Sequence, residues 1–238
     1  MKKYDKLIKN ALDQMKHEKF LFDFKNKRPP EETVNHLLAK RIKVNDFQTD
    51  VEYAIDQTTG QGKGQNELAK ILIPDIIIHS RGSNKSNECV IECKWIKNFN
   101  KERVIWDIFK LFYFSLSDAY LFKSAFLVFY SEQTNKESKI ISVEGDFKKI
   151  KEQILKELEK NKNKQSLIFE FNLKKTTFDD FISSVSFKIK DLKINQSKID
   201  KDIFEIKNKT SKTTRFYNRK NNTFTNDTPI PLKLNTLS

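Results

Sequence analysis

The chain has 238 residues, of which 37% are hydrophobic and 20 are phenylalanine, enough for one substantial core and too apolar for wholesale disorder. Its net charge of +13 favours a polyanionic partner, nucleic acid first and an anionic membrane second, unless the balance merely reflects lysine-rich coding. With two cysteines and three histidines, the chain holds no zinc-type ligand cluster.

Residues 3 to 24 place Tyr4, Ile8, Ala11, Leu12, Met15, Phe20, Leu21 and Phe24 at roughly helical spacing, which predicts an amphipathic helix and a loop over 1–28. The opening Met1-Lys-Lys leads into Tyr4-Asp-Lys-Leu-Ile-Lys9, which breaks any apolar run, so no signal peptide and a cytoplasmic location are expected. Pro29 and Pro30 then start a second helix with Glu31, Glu32 and Thr33 in its first turn, where acids complement the helix dipole. Its buried stripe is Val34, Leu37, Leu38 and Ile42, and His36 reads as a partly buried hydrogen-bonding residue.

Asp46 to Ile55 alternates as a strand, followed by Thr58-Thr-Gly-Gln-Gly-Lys-Gly-Gln65. The glycines there match neither spacing of a phosphate-binding loop, so a connector is expected. Two apolar runs follow, Ile73 to Ser80 and Glu88 to Trp95, separated by Arg81-Gly-Ser-Asn-Lys-Ser-Asn87, and together they predict a β-hairpin. Strand alternation gives Glu92 and Lys94 one face and Cys89, Ile91, Cys93 and Trp95 the other, which also keeps the two cysteines from a disulfide. On the partner strand Asp75 shares a face with Ile77 and His79, and a suitable register brings it beside Glu92. Two carboxylates and an ammonium held that close in an apolar sheet are unfavourable unless paired or bound to a metal; a surface ion pair on an amphipathic hairpin is the alternative.

From about Glu102 to Phe122 a helix is apolar nearly all round, with Asp107 and Lys110 on its polar edge, where Lys110 meets a phosphate or pairs with Asp107. Its apolar stretch from Val104 to Leu116 is too short and too charged to span a bilayer. Ser124–Tyr130 and Ile140–Val143 read as strands, residues after Gly145-Asp146 as an amphipathic helix, and Leu167–Leu173 as a further strand; Phe178 to Ile199 is ambiguous. From Lys207 onward seven basic residues stand against one acid, with Phe216, Tyr217 and Phe224 among them. That mixture suits single-stranded nucleic acid, or an unstructured or partner-docking tail.

Pro74-Asp75, sixteen intervening residues, then Glu92-Cys93-Lys94 resembles the PD-(D/E)XK phosphodiesterase superfamily. Four further stretches resemble the family in order: Glu31-Glu-Thr-Val-Asn-His-Leu-Leu-Ala39, Asp50-Val-Glu-Tyr53, His79-Ser-Arg-Gly82 and Asp107-Ile-Phe-Lys-Leu111. They span about residues 29 to 130, with departures at Trp95, where many members carry a lysine, and at Glu32, which competes with Glu31 as the helix acid. The resemblance implies an α/β, restriction-endonuclease-like core over 29–164, a mixed central sheet flanked by helices, then an α/β extension over 165–206 and a basic tail over 207–238. It further implies metal-dependent hydrolysis of DNA, with Mg²⁺ (or Mn²⁺) held by Asp75, Glu92, the Cys93 backbone carbonyl and Glu31. Lys94 would then orient or deprotonate the attacking water. Lys110, Arg81, Arg215, Arg219 and Lys220 are the candidate nucleic-acid contacts. The family's settings include restriction, anti-phage defence and repair. The alternative is a catalytically silent subunit that binds nucleic acid or a protein partner, the latter through the C-terminal extension; a homodimer stays open, and no membrane partner is expected.

Overall fold

The computed structural model describes residues 3–17, 30–44, 47–51, 73–80, 87–97, 99–116, 120–133, 136–161, 164–184, 186–189, 192–196, 203–208, 213–218 and 223–225, by backbone alone from 182 onward. The glycine-rich stretch 58–65, Arg81, Arg219 and Lys220 lie outside these residues. The chain divides into two units, residues 1–178 and 179–238.

The first unit is α/β. Helices α1 (Lys3–Met15) and α2 (Glu31–Arg41) precede strands β1 (Gln48–Val51), β2 (Ile76–His79) and β3 (Asn87–Trp95). Helix α3 (Lys101–Leu116), strands β4 (Ser124–Tyr130) and β5 (Lys139–Glu144), helix α4 (Phe147–Asn161) and strand β6 (Leu167–Asn172) follow. The strands form one mixed sheet in the order β1-β2-β3-β4-β6-β5. β1, β2 and β3 are successively antiparallel, β3 runs parallel to β4 with α3 as the crossover, and β6 lies antiparallel to β4 and parallel to β5.

Burial explains the strand sequences. β2 is buried along its whole length, and β4 from Ala125 to Tyr130, because helices cover both faces of the sheet, so these strands read as continuous apolar runs. α1 and α2 pack on the face formed by Ile76, Ile78, Cys89, Ile91, Cys93, Phe126 and Val128. α3 and α4 pack together, with Phe112 edge-on to both Phe147 and Phe171. The spacing expected for α1 holds: Tyr4, Ile8, Ala11, Leu12 and Met15 are all buried. His36, by contrast, is exposed, its Nδ1 2.9 Å from the Glu32 carbonyl oxygen. α3 stops at Leu116 rather than Phe122, and the Phe122 N–H bonds the Phe114 carbonyl at 3.1 Å, so the chain has already turned back.

Two boundaries differ from expectation. The core does not close at residue 164: Leu167–Asn172 inserts between β4 and β5, with Leu167, Ile168, Phe169 and Phe171 buried, so the first unit runs to Phe178. The segment expected as an α/β extension and a tail is one piece: helix α5 (Phe178–Ser184) leads into strands β7 (Ser186–Ile189), β8 (Leu192–Gln196), β9 (Ile203–Asn208), β10 (Thr213–Asn218) and β11 (Thr223–Thr225). These strands form a separate five-stranded antiparallel meander. Among the described residues no helix is long and apolar enough to cross a membrane.

Asp13 ties α1 to the segment entering β5. Its carboxylate accepts from Lys9 and Lys16, both at 2.7 Å, and from the Ser138 backbone N–H and hydroxyl at 2.9 and 2.8 Å. Burial pushes its pKa up, but these four donors outweigh burial and hold it well below the usual carboxylate range. Its stabilisation is therefore full above the ordinary value of 3.8 and lost as pH falls toward the depressed one. Asp13→Asn is expected to lower stability by about 2 kcal/mol at neutral pH and by much less in strong acid, as thermal melts across pH will show.

Candidate active site

The site is built on the β2–β3 hairpin. Its register sets Ile76 opposite Ile91 and Ile77 opposite Val90, so the next step along the ladder sets Asp75 opposite Glu92. Pro74 has no N–H to give, and the ladder ends there. The Asp75 carboxylate takes over as acceptor: its Oδ2 receives the Cys93 backbone N–H at 2.6 Å. This bond fixes the carboxylate at the sheet end beside Glu92 and Lys94.

Lys94 is the hub. Its Nζ donates to Glu31 Oε1 at 2.9 Å and to the Cys93 carbonyl oxygen at 2.9 Å. It also lies 3.4 Å from Asp107 Oδ2 and 3.9 Å from Asp75 Oδ2. Glu31 opens α2, directly after Pro30, so this helix start aims an acid at the hairpin. Asp107 comes from the second turn of α3, on the other side.

A second ammonium lies deeper. Lys110 Nζ pairs with Glu92 Oε2, stands 3.3 Å from Asp107 Oδ1 and donates to the Ile73 carbonyl at 3.2 Å. The layers differ in access: the Glu92, Asp107 and Lys110 side chains are at most 7% exposed, whereas those of Asp75, Lys94 and Glu31 are 18%, 19% and 34% exposed. Only the outer three can meet a substrate. Lys110, expected as a phosphate contact or as the partner of Asp107, takes the second role and extends it to Glu92, because it lies on the face of the apolar helix that packs on the sheet, whereas Lys101 at the helix start is exposed.

Were all four carboxyls ionised, two negative charges would face no ammonium at low dielectric, so the site favours protonated acids. Burial above all, then repulsion from Asp75 and Asp107, pushes the Glu92 pKa well up despite Lys110. Asp107 rises through burial against the pull of Lys110 and Lys94, and Glu31 rises through burial against Lys94. Burial alone would lower both lysines, but the carboxylates around them raise each above its ordinary value. Glu92 Oε1 is buried without a hydrogen-bond partner. Among the described residues no three acids, histidines or cysteines are gathered so as to hold a metal ion between them; Lys94 and Lys110 stand among the carboxylates.

The structure thus brings together Glu31, Asp75, Glu92, Lys94 and the Cys93 carbonyl. Two other stretches noted in the sequence also meet: His79 Nε2 lies 2.9 Å from Asp50 Oδ2 across β1 and β2. Asp107 was legible as the partner of Lys110 and as the start of the stretch Asp107-Ile-Phe-Lys-Leu111 that resembles the family, but not as a neighbour of Lys94. Arg215, expected to contact nucleic acid, stands in register with Ile206 on β9. Compared with known proteins, the chain matches no family model, no curated protein and no solved structure.

Proposed function

We propose that this chain is a metal-dependent hydrolase of nucleic-acid phosphodiesters, most simply of DNA, with the restriction-endonuclease-like core that the PD-(D/E)XK resemblance implies. The observation that carries this reading is the convergence of Glu31, Asp75 and Asp107 on Lys94 Nζ at 2.9, 3.9 and 3.4 Å, with Glu92 behind them. The donors are of the kind a hard divalent cation prefers, every candidate ligand being an oxygen and Glu92 Oε1 unsatisfied, while Lys94 and Lys110 stand among them in place of an ion. Asp75, Glu92, the Cys93 carbonyl and Glu31 would hold Mg²⁺ or Mn²⁺, which supplies charge compensation at the phosphate and acidifies water.

The protein groups then divide the remaining work. Lys94 is held charged by the acids around it, so its role is to orient the attacking water and offset charge on the phosphate, not to take a proton. Glu31, the most open of the acids and raised in pKa, is the better proton acceptor. Lys110 keeps Glu92 and Asp107 compatible in one buried site.

A first test is cleavage of plasmid and linear DNA with Mg²⁺ or Mn²⁺. Wild type is expected to cut, and Asp75→Asn to bind DNA while cutting at least about a hundredfold more slowly. The silent-subunit alternative draws on the lysines that already pair with the acids; wild type that binds but cleaves neither DNA nor RNA would establish it.

The raised acids add a second test. Glu92 and Asp107 keep protons in the folded state that the unfolded chain gives up near 4.5 and 3.8. Their contribution is full below those values and lost as pH rises through the raised ones. A bound cation replaces those protons, so Mg²⁺ should raise the melting temperature by several degrees at about pH 8 and by little at about pH 5. Equal shifts at both pH values, or none, would argue against ligation by these acids.

A further inference from the structure

The meander of the second unit has a face whose chemistry the hydrolase reading does not use. In an antiparallel sheet, directly opposed residues share a face and every second residue along a strand joins them. Phe187, Ile194 and Ile206 stand opposite one another in turn across β7, β8 and β9, and Phe204, Tyr217 and Phe224 do so across β9, β10 and β11. Two-residue alternation puts both rows on one face, which is apolar, and Arg215 belongs to it.

The other face is different. Lys188 stands opposite Lys193, Lys193 opposite Lys207, and Lys207 opposite Thr214. Every lysine in the described strands of this unit thus falls in one row, on neighbouring strands about 4.8 Å apart, a line of charge about 10 Å long. Like charges at directly opposed positions weaken a sheet, so the row is unfavourable until an anion lies along it. The adjoining row holds Asn195, Glu205 and Phe216. Glu205 is the single acid on this face among the described strand positions and leaves an excess of positive charge.

We propose that this lysine-row face docks the phosphodiester backbone of nucleic acid, with Phe216 at a position suited to stack a base. Successive phosphates of one strand lie about 3.4 Å apart along a duplex, so a row of that length spans several of them. An anionic membrane fits less well, because it needs apolar side chains beside the lysines and most large apolar residues of these strands fall on the opposite face. The proposal goes beyond the hydrolase reading: it assigns binding to the unit that lacks the Asp75–Glu92–Lys94 site, and it is measured without cleavage.

The test uses the full chain, in EDTA, with fluorescence anisotropy of a short labelled oligonucleotide, single-stranded or annealed, between about 50 and 200 mM salt. The variant Lys188→Gln/Lys193→Gln/Lys207→Gln is expected to bind on the order of tenfold to a hundredfold more weakly, with the slope of log affinity against log salt smaller by about two for the single strand and by nearly three for the duplex. The matched charge change Lys148→Gln/Lys149→Gln/Lys156→Gln, at exposed positions of α4, should keep the wild-type slope, and arginine at all three row positions should keep binding. If the glutamine triple variant fails to fold by circular dichroism, Lys193→Gln at the centre of the row decides, with a slope smaller by about one. Unchanged affinity and slope in the row variants, an equal loss in the α4 control, or binding to phosphatidylserine vesicles but to neither oligonucleotide overturns the proposal. Because docking is read in EDTA and cleavage with Mg²⁺, failure of docking and failure of catalysis are read separately.

Discussion

Replacing Lys110 by methionine is expected to destabilise the first unit by about 3–5 kcal/mol, one of the two largest effects foreseen for any single substitution in this chain. Methionine keeps most of the aliphatic volume, so the loss is electrostatic rather than a cavity. Lys110 is 5% exposed and is the closest cation to Glu92, which has no exposure at all. Without it, the nearest counter-charge to Glu92 and Asp107 is gone, and both carboxyl pKa values, already raised by burial, rise further. In wild type Glu92 can ionise beside Lys110 above its own raised value and in the variant it cannot, so the destabilisation should grow as pH rises through that value, by about 1.4 kcal/mol for each pH unit. Urea denaturation at about pH 5 and about pH 8 measures it. The double variant Lys110→Met/Glu92→Gln should recover much of the loss, since replacing both partners leaves no unpaired charge. A single variant as stable as wild type at the higher pH would show that the pair does not hold the interior together.

Lys94→Met should act mainly on chemistry. On the proposed reading it lowers DNA cleavage by about a hundredfold to a thousandfold, because the ammonium facing the phosphate is lost where charge develops. Oligonucleotide affinity should change much less. Lys94→Arg is not expected to rescue, since a planar fork cannot repeat contacts made from one nitrogen to Glu31, Asp107 and the Cys93 carbonyl. The pH dependence separates two roles for Lys94. As a base it would have to lose its proton near neutrality, whereas the surrounding acids raise it above 10.5. The rate should therefore rise with pH through the range of the raised carboxylates and show no limb from Lys94 near neutrality. A limb there that disappears in Lys94→Gln would restore the deprotonation role that the resemblance suggests.

Much of the first unit was legible because its signals are local. The stripe Tyr4, Ile8, Ala11, Leu12 and Met15 buries one side of α1, and Phe147, Ile150, Ile154 and Leu158 do the same for α4. Leu167 to Leu173 was legible as a strand but not as an inner one, since its neighbours β4 and β5 are chosen by packing and not by any residue within it. The basic C-terminal stretch concealed its order for a similar reason: charge and turn residues break its strands into short pieces, and only pairing between them makes a sheet.

The candidate site divides along the same line. Strand alternation alone settles that Glu92 and Lys94 share a face, and the Pro74-Asp75 pair marks where the neighbouring strand ends, because side-chain direction and a missing N–H are properties of a few consecutive residues. Tertiary structure alone decides that Lys94 answers to Glu31, 63 residues away, that Lys110 turns inward to Glu92, and that Asp107 joins them. Those pairings depend on which helix ends meet the sheet and on how many charges share a dry space, and neither is encoded by periodicity within one segment.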